Sequence, residues 1–162
     1  MIDNLHIVAF TGHRTYKGKA DEELRRTISK LYDEGCRIFR IGMAEGFDLS
    51  AGEAVIELME HCNDIILEAY IPWMTFYERF TYADRRRYYN ILSHASVVHY
   101  VGTAYHKTIF LQRNDMLVDG AHYIVAWWDG RSSGTSYTVS RAKSAGALII
   151  NLYPTAQLSL GI

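Results

Sequence analysis

The stretch LHIVAFTGHR, Leu5–Arg14, decides how the rest of the chain is read. Leu5 to Phe10 is an apolar run of strand length, and it ends in a polar turn, Thr11-Gly12-His13-Arg14. Beyond the turn Leu24, Ile28, Leu31 and Tyr32 recur at helical spacing. Asp21, Glu22 and Glu23 give that helix an acidic first turn, which complements the positive end of its dipole, and Gly35 supplies a stop. The order strand, loop, helix then repeats. A strand is expected from about Arg37 to Gly42, a loop over Met43–Phe47, and a helix whose stripe is Ala51, Ala54, Val55, Leu58, Met59 and Cys62, with Asp48 placed as its cap. Asp64–Ile71 reads as a third strand closed by Pro72, which cannot donate a ladder hydrogen bond. One aromatic helical stretch follows, with Phe76, Phe80, Tyr88, Ile91 and Leu92 on its apolar face and Asp84-Arg85-Arg86-Arg87 toward solvent. Ser96–Val101, His122–Trp128 and Ala147–Leu152 complete the strands, separated by helices over Thr108–Asp119 and Thr135–Ala145, and Thr155–Ile162 is expected to be a loose tail.

Strands alternating with helices of ten or more residues define βαβ units, and strands as apolar as Tyr123-Ile124-Val125-Ala126 belong in a sheet covered on both faces. The expected fold is therefore α/β: a Rossmann-like, doubly wound, mainly parallel sheet with helices on both faces, in a single domain over residues 1–162. The composition agrees, since 162 residues that are 49% hydrophobic and 22% charged can bury one substantial core. Seventeen basic residues against 18 acidic ones give a net charge of −1, and with no basic tail this balance argues against nucleic acid as a partner. Cys36 and Cys62 have neither metal-type nor redox-type spacing, the histidines show no paired ligand spacing, and there is no apolar run of membrane length. These features point to a cytoplasmic protein without a metal site, a cofactor or a membrane association.

In such sheets ligands collect outside the carboxyl ends of the strands, so the loops after the strands hold the candidate residues. After the first strand, Thr11, Gly12, His13 and Arg14 combine a close-approaching backbone with a fork of guanidinium donors, which suits an anion. After the second come Gly42, Glu45, Gly46 and Asp48. Glu45 sits in a loop rather than on a solvated helix face, where it can accept ribose hydroxyls or act as an acid, base or nucleophile. After the fifth, Asp129, Gly130, Ser132, Ser133, Gly134 and Thr135 open onto a helix, whose exposed amides and dipole form a cradle for phosphate or carboxylate. Arg113 and Asn114 are further candidates, and Trp128 is a candidate to stack on a base.

This ordered set, Thr-Gly-His-Arg, Gly-x-Ala-Glu-Gly-x-Asp, Arg-Asn and a terminal Asp-Gly…Gly-Thr, resembles the YpsA-like branch of the SLOG superfamily from about His6 to Pro154. That superfamily includes the LOG phosphoribohydrolases, the DNA-processing protein DprA and ligand-sensing domains. The resemblance implies a Rossmann-like protein that binds nucleotides or their derivatives and assembles as a homo-oligomer. One departure stands out: the LOG enzymes carry Gly-Thr-x-x-Glu with a catalytic glutamate, and here Thr138 occupies that position. Ser133 also replaces a glycine usual in the cradle.

The expected function is thus binding of a small nucleotide-type ligand, such as AMP, ADP-ribose, NAD or cyclic ADP-ribose, in a sensor, carrier or sequestering role. The alternative is an N-glycosidic-bond hydrolase or transferase that uses Glu45.

Overall fold

A computed structural model describes residues 6–154. Leu5 and the expected tail over Thr155–Ile162 lie outside the described residues. The elements run β1 (His6–Gly12), α1 (Asp21–Asp33), β2 (Cys36–Ile41), α2 (Phe47–Met59), β3 (Ile66–Ile71), a 3₁₀ helix (Phe76–Arg79), α3 (Tyr82–His94), β4 (Val97–Tyr100), α4 (Ile109–Val118), β5 (Tyr123–Trp127), α5 (Gly134–Ser144) and β6 (Leu148–Asn151). The six strands form one sheet in the order β4-β3-β2-β1-β5-β6, and every neighbouring pair is parallel.

Alternation along the central strands assigns the two faces. Val8 and Phe10 of β1 join Phe39, Ile41 and Leu67 in a core with Leu24, Val55 and Ile91 from α1, α2 and α3. Ala9 of β1 joins Ile124 and Ala126 of β5 in a second core with Leu117, Val139 and Ala142 from α4 and α5. The chain thus lays three helices on one face, crosses over through α4, and lays two on the other. The strand order reverses between β1 and β5, and the crevice of a doubly wound sheet opens at such a point.

Polar ties fix the helices on this frame. The Tyr16 hydroxyl donates to Asp21 at 2.6 Å and accepts the Ala20 amide at 2.9 Å, so it serves the start of α1 in place of a capping side chain. Arg40 on β2 pairs with Glu68 at 3.1 Å and donates to the carbonyls of Met116, Leu117 and Asp119. A half-buried cation at the negative end of α4 holds that helix against the sheet.

Three expectations need correction. The aromatic stretch is two elements, because Phe80 is extended and Thr81 starts α3 by accepting the Asp84 amide at 3.2 Å. Arg87 is not simply solvated: it donates to Glu53 at 2.6 Å and to Ser50 at 3.3 Å, pinning α3 to α2. Finally, Gly46 rather than Asp48 precedes α2. Asp48 lies inside the first turn and accepts the Ala44 amide at 3.1 Å, so it closes the loop instead of capping the helix.

Candidate functional site

The carboxyl ends of β1, β2 and β5 enclose a cleft of about 450 Å³. Its floor is Phe10, Thr11 and Gly12. One wall is Ala44 with Asp48, the opposite wall is Phe110 to Leu117 of α4, and the start of α5 closes the end. Ten of the residues expected from sequence meet here: Thr11, Gly12, His13 and Arg14 from β1 and its loop, Asp48 from α2, Arg113 and Asn114 from α4, and Ser133, Gly134 and Thr135 from α5.

Glycines set the shape where backbone must come close. At Gly46, with φ +82°, a Cβ would lie 2.5 Å from the Arg14 carbonyl oxygen, so only glycine lets the β2 loop press against the β1 loop. At Gly134 a Cβ would meet nothing within 4 Å, which leaves the first turn of α5 open toward the cleft.

The start of α5 is more self-contained than four free amides. Ser133 accepts the Ser136 amide at 3.2 Å and the Ser136 hydroxyl accepts the Ser133 amide at 2.7 Å, a reciprocal capping box. The serine in place of glycine therefore takes one helix amide for itself. Gly134 and Thr135, the first two residues of α5, line the cleft. Thr138, where LOG enzymes have their glutamate, is buried and donates to the Gly134 carbonyl at 3.0 Å, so its side chain is turned back onto the helix.

On the opposite wall Arg113, only 6% exposed, donates to the Gly42 carbonyl and, at 2.8 Å, to Asn114. A Cβ on Gly42 would stand 2.8 Å from an Asp48 oxygen and 3.4 Å from Arg113, which explains why a glycine follows β2. Burial is the main influence on both charged groups. It lowers the Arg113 pKa, against the attraction of Asp48. It pushes the Asp48 carboxyl up to about 6, against Arg113, the Ala44 amide and Arg14, while Glu45 adds to the rise.

Glu45 is not in the cleft. With Gly46 it lines an adjoining depression of about 550 Å³ that shares Arg14 with the cleft. Its Oε1 lies 3.6 Å from Arg14 Nε, beyond hydrogen-bond reach, and is buried with no hydrogen-bond partner. The carboxylate that faces the cleft is Asp48. Asp129 is a buttress: its amide nitrogen lies 3.1 Å and its carboxylate Oδ1 3.2 Å from His13 Nε2, which ties the β1 loop to the β5 loop. The Arg131 amide on Asp129, together with His13 and against the opposing effect of burial, holds that carboxyl below its usual range. Trp128, Gly130 and Ser132 line a shallow groove on the other side of α5, which meets the cleft at Ser133. The Trp128 indole N–H is committed to the Arg131 carbonyl at 2.8 Å.

Arg79, which lines the depression adjoining the cleft, is a residue that sequence reading missed. Its guanidinium lies 5.7 Å from the centroid of Phe110, Arg14 lies 5.1 Å from it and Arg113 6.0 Å. Nothing near Arg79 in the sequence announces this, because the contact joins the 3₁₀ helix to α4 across the fold.

A parallel sheet whose strand ends bring the start of α5 opposite buried and half-buried arginines defines a Rossmann-like domain with a cleft at its carboxyl edge. The chain belongs to the YspA SLOG family, which it matches over residues 7–152. None of the curated proteins matches it. Among solved structures it is similar to DNA processing protein A (DprA) from Streptococcus pneumoniae, with a TM-score of 0.68 and 20% identity over 90% of this chain and 49% of that one. It is also similar to DNA processing protein A from Helicobacter pylori, with a TM-score of 0.64 and 16% identity over 91% of this chain and 65% of that one. The chain thus spans about half to two thirds of the length of these proteins, and the likeness is one of fold.

The Helicobacter structure describes a single-stranded DNA binding mode, and this corrects the expectation that charge balance disfavours nucleic acid. Net charge averages over the whole surface, whereas a strand is held by the local field where its phosphates run. Here Arg14 and Arg79 gather at one mouth, whatever the balance elsewhere. Among the described residues no helix is long and apolar enough to cross a membrane.

Proposed function

We propose that the cleft binds the phosphate of a nucleotide or nucleotide-derived molecule. The observation that carries this reading is convergence: the open first turn of α5, the Thr11–Arg14 loop and the buried Arg113 all face one cavity. The Gly134 and Thr135 amides would take the phosphate at the positive end of the helix, Arg14 would donate to it from the mouth, and Ala44 and Leu117 offer an apolar wall to sugar or base. Glu45, which lines the adjoining depression beside Arg14, is suited to accept a ribose hydroxyl that reaches into it. The protein would act as a sensor, carrier or sequestering module, since Thr138 replaces the LOG glutamate and is bonded back onto α5.

A second reading is favoured by the DprA likeness: the nucleotide unit could belong to a single strand of DNA, the ligand named for the Helicobacter protein. Both readings place a phosphate at α5 and differ in what lies beyond it.

The test is thermal unfolding with AMP, ADP-ribose, NAD, cyclic ADP-ribose and a short single-stranded oligonucleotide, followed by chromatography of each mixture. A ligand at 100 times its dissociation constant adds about 2.7 kcal/mol, and at roughly 2–4 °C per kcal/mol that is a shift of several degrees. A shift with the small molecule recovered intact supports binding, and a consumed ligand restores the glycosidase alternative. A shift only with the oligonucleotide, falling steeply as salt rises, selects the strand. No shift with any of them overturns the phosphate reading.

A further inference from the structure

The mouth of the cleft holds more positive charge than one phosphate requires. Arg14, Arg79 and Arg113 surround a single ring, Phe110, with their guanidinium carbons 5.1, 5.7 and 6.0 Å from its centroid. The ring accounts for part of this, since its face attracts cations, but it carries no net charge to neutralise three of them. Of the carboxylates that line the depression, Asp21 takes the Tyr16 hydroxyl and Asp84 pairs with Arg87, which leaves Glu45 alone to face these arginines. Arg79 has no ion-pair partner within 4 Å among the described residues, and Arg14 has only Glu45, at 3.6 Å. Burial lowers the Arg14 pKa first and repulsion from Arg79 lowers it further, against the attraction of Glu45 and Asp48. The two line the depression of about 550 Å³ that adjoins the cleft, and Arg14 borders both cavities.

We propose that Arg14 and Arg79 form a second anion subsite at the mouth of the cleft, and that the natural ligand carries two linked phosphates, one on the first turn of α5 and the other between these arginines. This deepens the nucleotide reading, on which its choice of ligand rests. It selects the diphosphate class, nucleoside diphosphates and pyrophosphate-bridged dinucleotides, over nucleoside monophosphates and cyclic monophosphates. Arg79 is a specificity-determining residue for that class. Its guanidinium, packed 5.2 Å from the centroid of Phe76, is held at the mouth by the 3₁₀ helix rather than left free on the surface.

The experiment is calorimetric titration of the whole chain, wild type, Arg79→Ala and Arg79→Lys, with inorganic phosphate, inorganic pyrophosphate, AMP and ADP at matched ionic strength. A thermal melt of each variant confirms that it is folded. The wild type is expected to bind pyrophosphate over phosphate, and ADP over AMP, by about tenfold or more, the equivalent of one charge-assisted contact. Arg79→Ala should abolish that preference with AMP affinity held within about twofold, and Arg79→Lys should keep part of it because the charge remains. Binding of AMP and ADP with equal affinity overturns the second subsite and leaves the nucleotide reading standing. So does a preference for ADP that survives Arg79→Ala. Pyrophosphate binding that depends on Arg79, with no nucleotide bound, supports the subsite and overturns the nucleotide reading. If none of the four ligands binds, both fall.

Discussion

Replacing Gly46 by alanine isolates the close approach of two loops on which the cleft depends. Two separate penalties are expected. Gly46 has φ +82° and ψ −124°, a region essentially reserved for glycine, and forcing alanine into it costs about 1–3 kcal/mol. The added methyl would also lie 2.5 to 2.7 Å from the oxygen, carbon and Cα of Arg14. Those are backbone atoms that cannot rotate away, and overpacking of this kind costs about 1–3 kcal/mol more. The sum, about 2–6 kcal/mol, corresponds to a fall in melting temperature of at least about 4 °C for a chain of this size. Gly35→Ala is the internal reference: its φ is +106° but a Cβ there meets nothing within 4 Å, so strain acts alone, at about 1–2 kcal/mol. Thermal melts and urea titrations of the three proteins give the difference directly. Gly46→Ala should be the less stable variant and should also bind phosphate more weakly, because relief of the clash displaces Arg14. Equal stability of the two variants would show that the contact with the Arg14 backbone has no energetic weight, and the account of how the cleft is shaped would fail.

The remaining predictions probe the cleft from its other walls. Gly134→Ala fills open space at a position with ordinary φ, so its melting temperature should stay within about 2 °C of wild type while phosphate affinity drops; unchanged affinity would move the phosphate away from α5. Arg113→Ala leaves buried Asp48 with only the Ala44 amide and Arg14 in its favour and should cost about 3–5 kcal/mol, and adding Asp48→Asn should recover part of that loss, so strict additivity in the double-mutant cycle would contradict their coupling. The Asp48 carboxyl, pushed up from 3.8 to about 6, binds its proton more tightly in the folded state; its contribution to stability is therefore favourable at low pH and is lost as pH rises from about 4 to about 6. The stability of Asp48→Asn relative to wild type should accordingly increase over that interval, and a flat difference would refute the assignment. Trp128→Ala should leave the ratio of AMP to phosphate affinity unchanged, since the ring lines the neighbouring groove, and a selective loss for AMP would return a base to Trp128.

The strands and most helices were legible because their periods are strong: β1 and β5 are continuous apolar runs, and the Leu24, Ile28, Leu31 stripe of α1 is buried as read. The break before α3 had a signal that went unread, since Thr81 and Asp84 stand at the spacing of a helix start. The cleft was legible at the level of loops, because a doubly wound sheet brings strand ends together. Which side chain of a loop faces the cavity was not. Glu45 and Asp48 are three residues apart, and their placement depends on Gly46 turning the backbone between them. Arg79 had no local signal at all, because its position is set by Phe76 and by Phe110, more than thirty residues further along the chain.

The strand order also governs how this protein comes into being. β1 occupies an interior position, yet its partner β5 begins at Tyr123, so during synthesis β1 can zip to β2 long before its other side is covered. Until then an apolar strand at the centre of the future sheet presents an unpaired edge, a template for association with other chains. The same late insertion brings the second half of the cleft, because α5 follows β5. A nascent chain is therefore at its most aggregation-prone just before it first becomes able to hold a ligand, and a ligand present at that moment would favour the productive outcome.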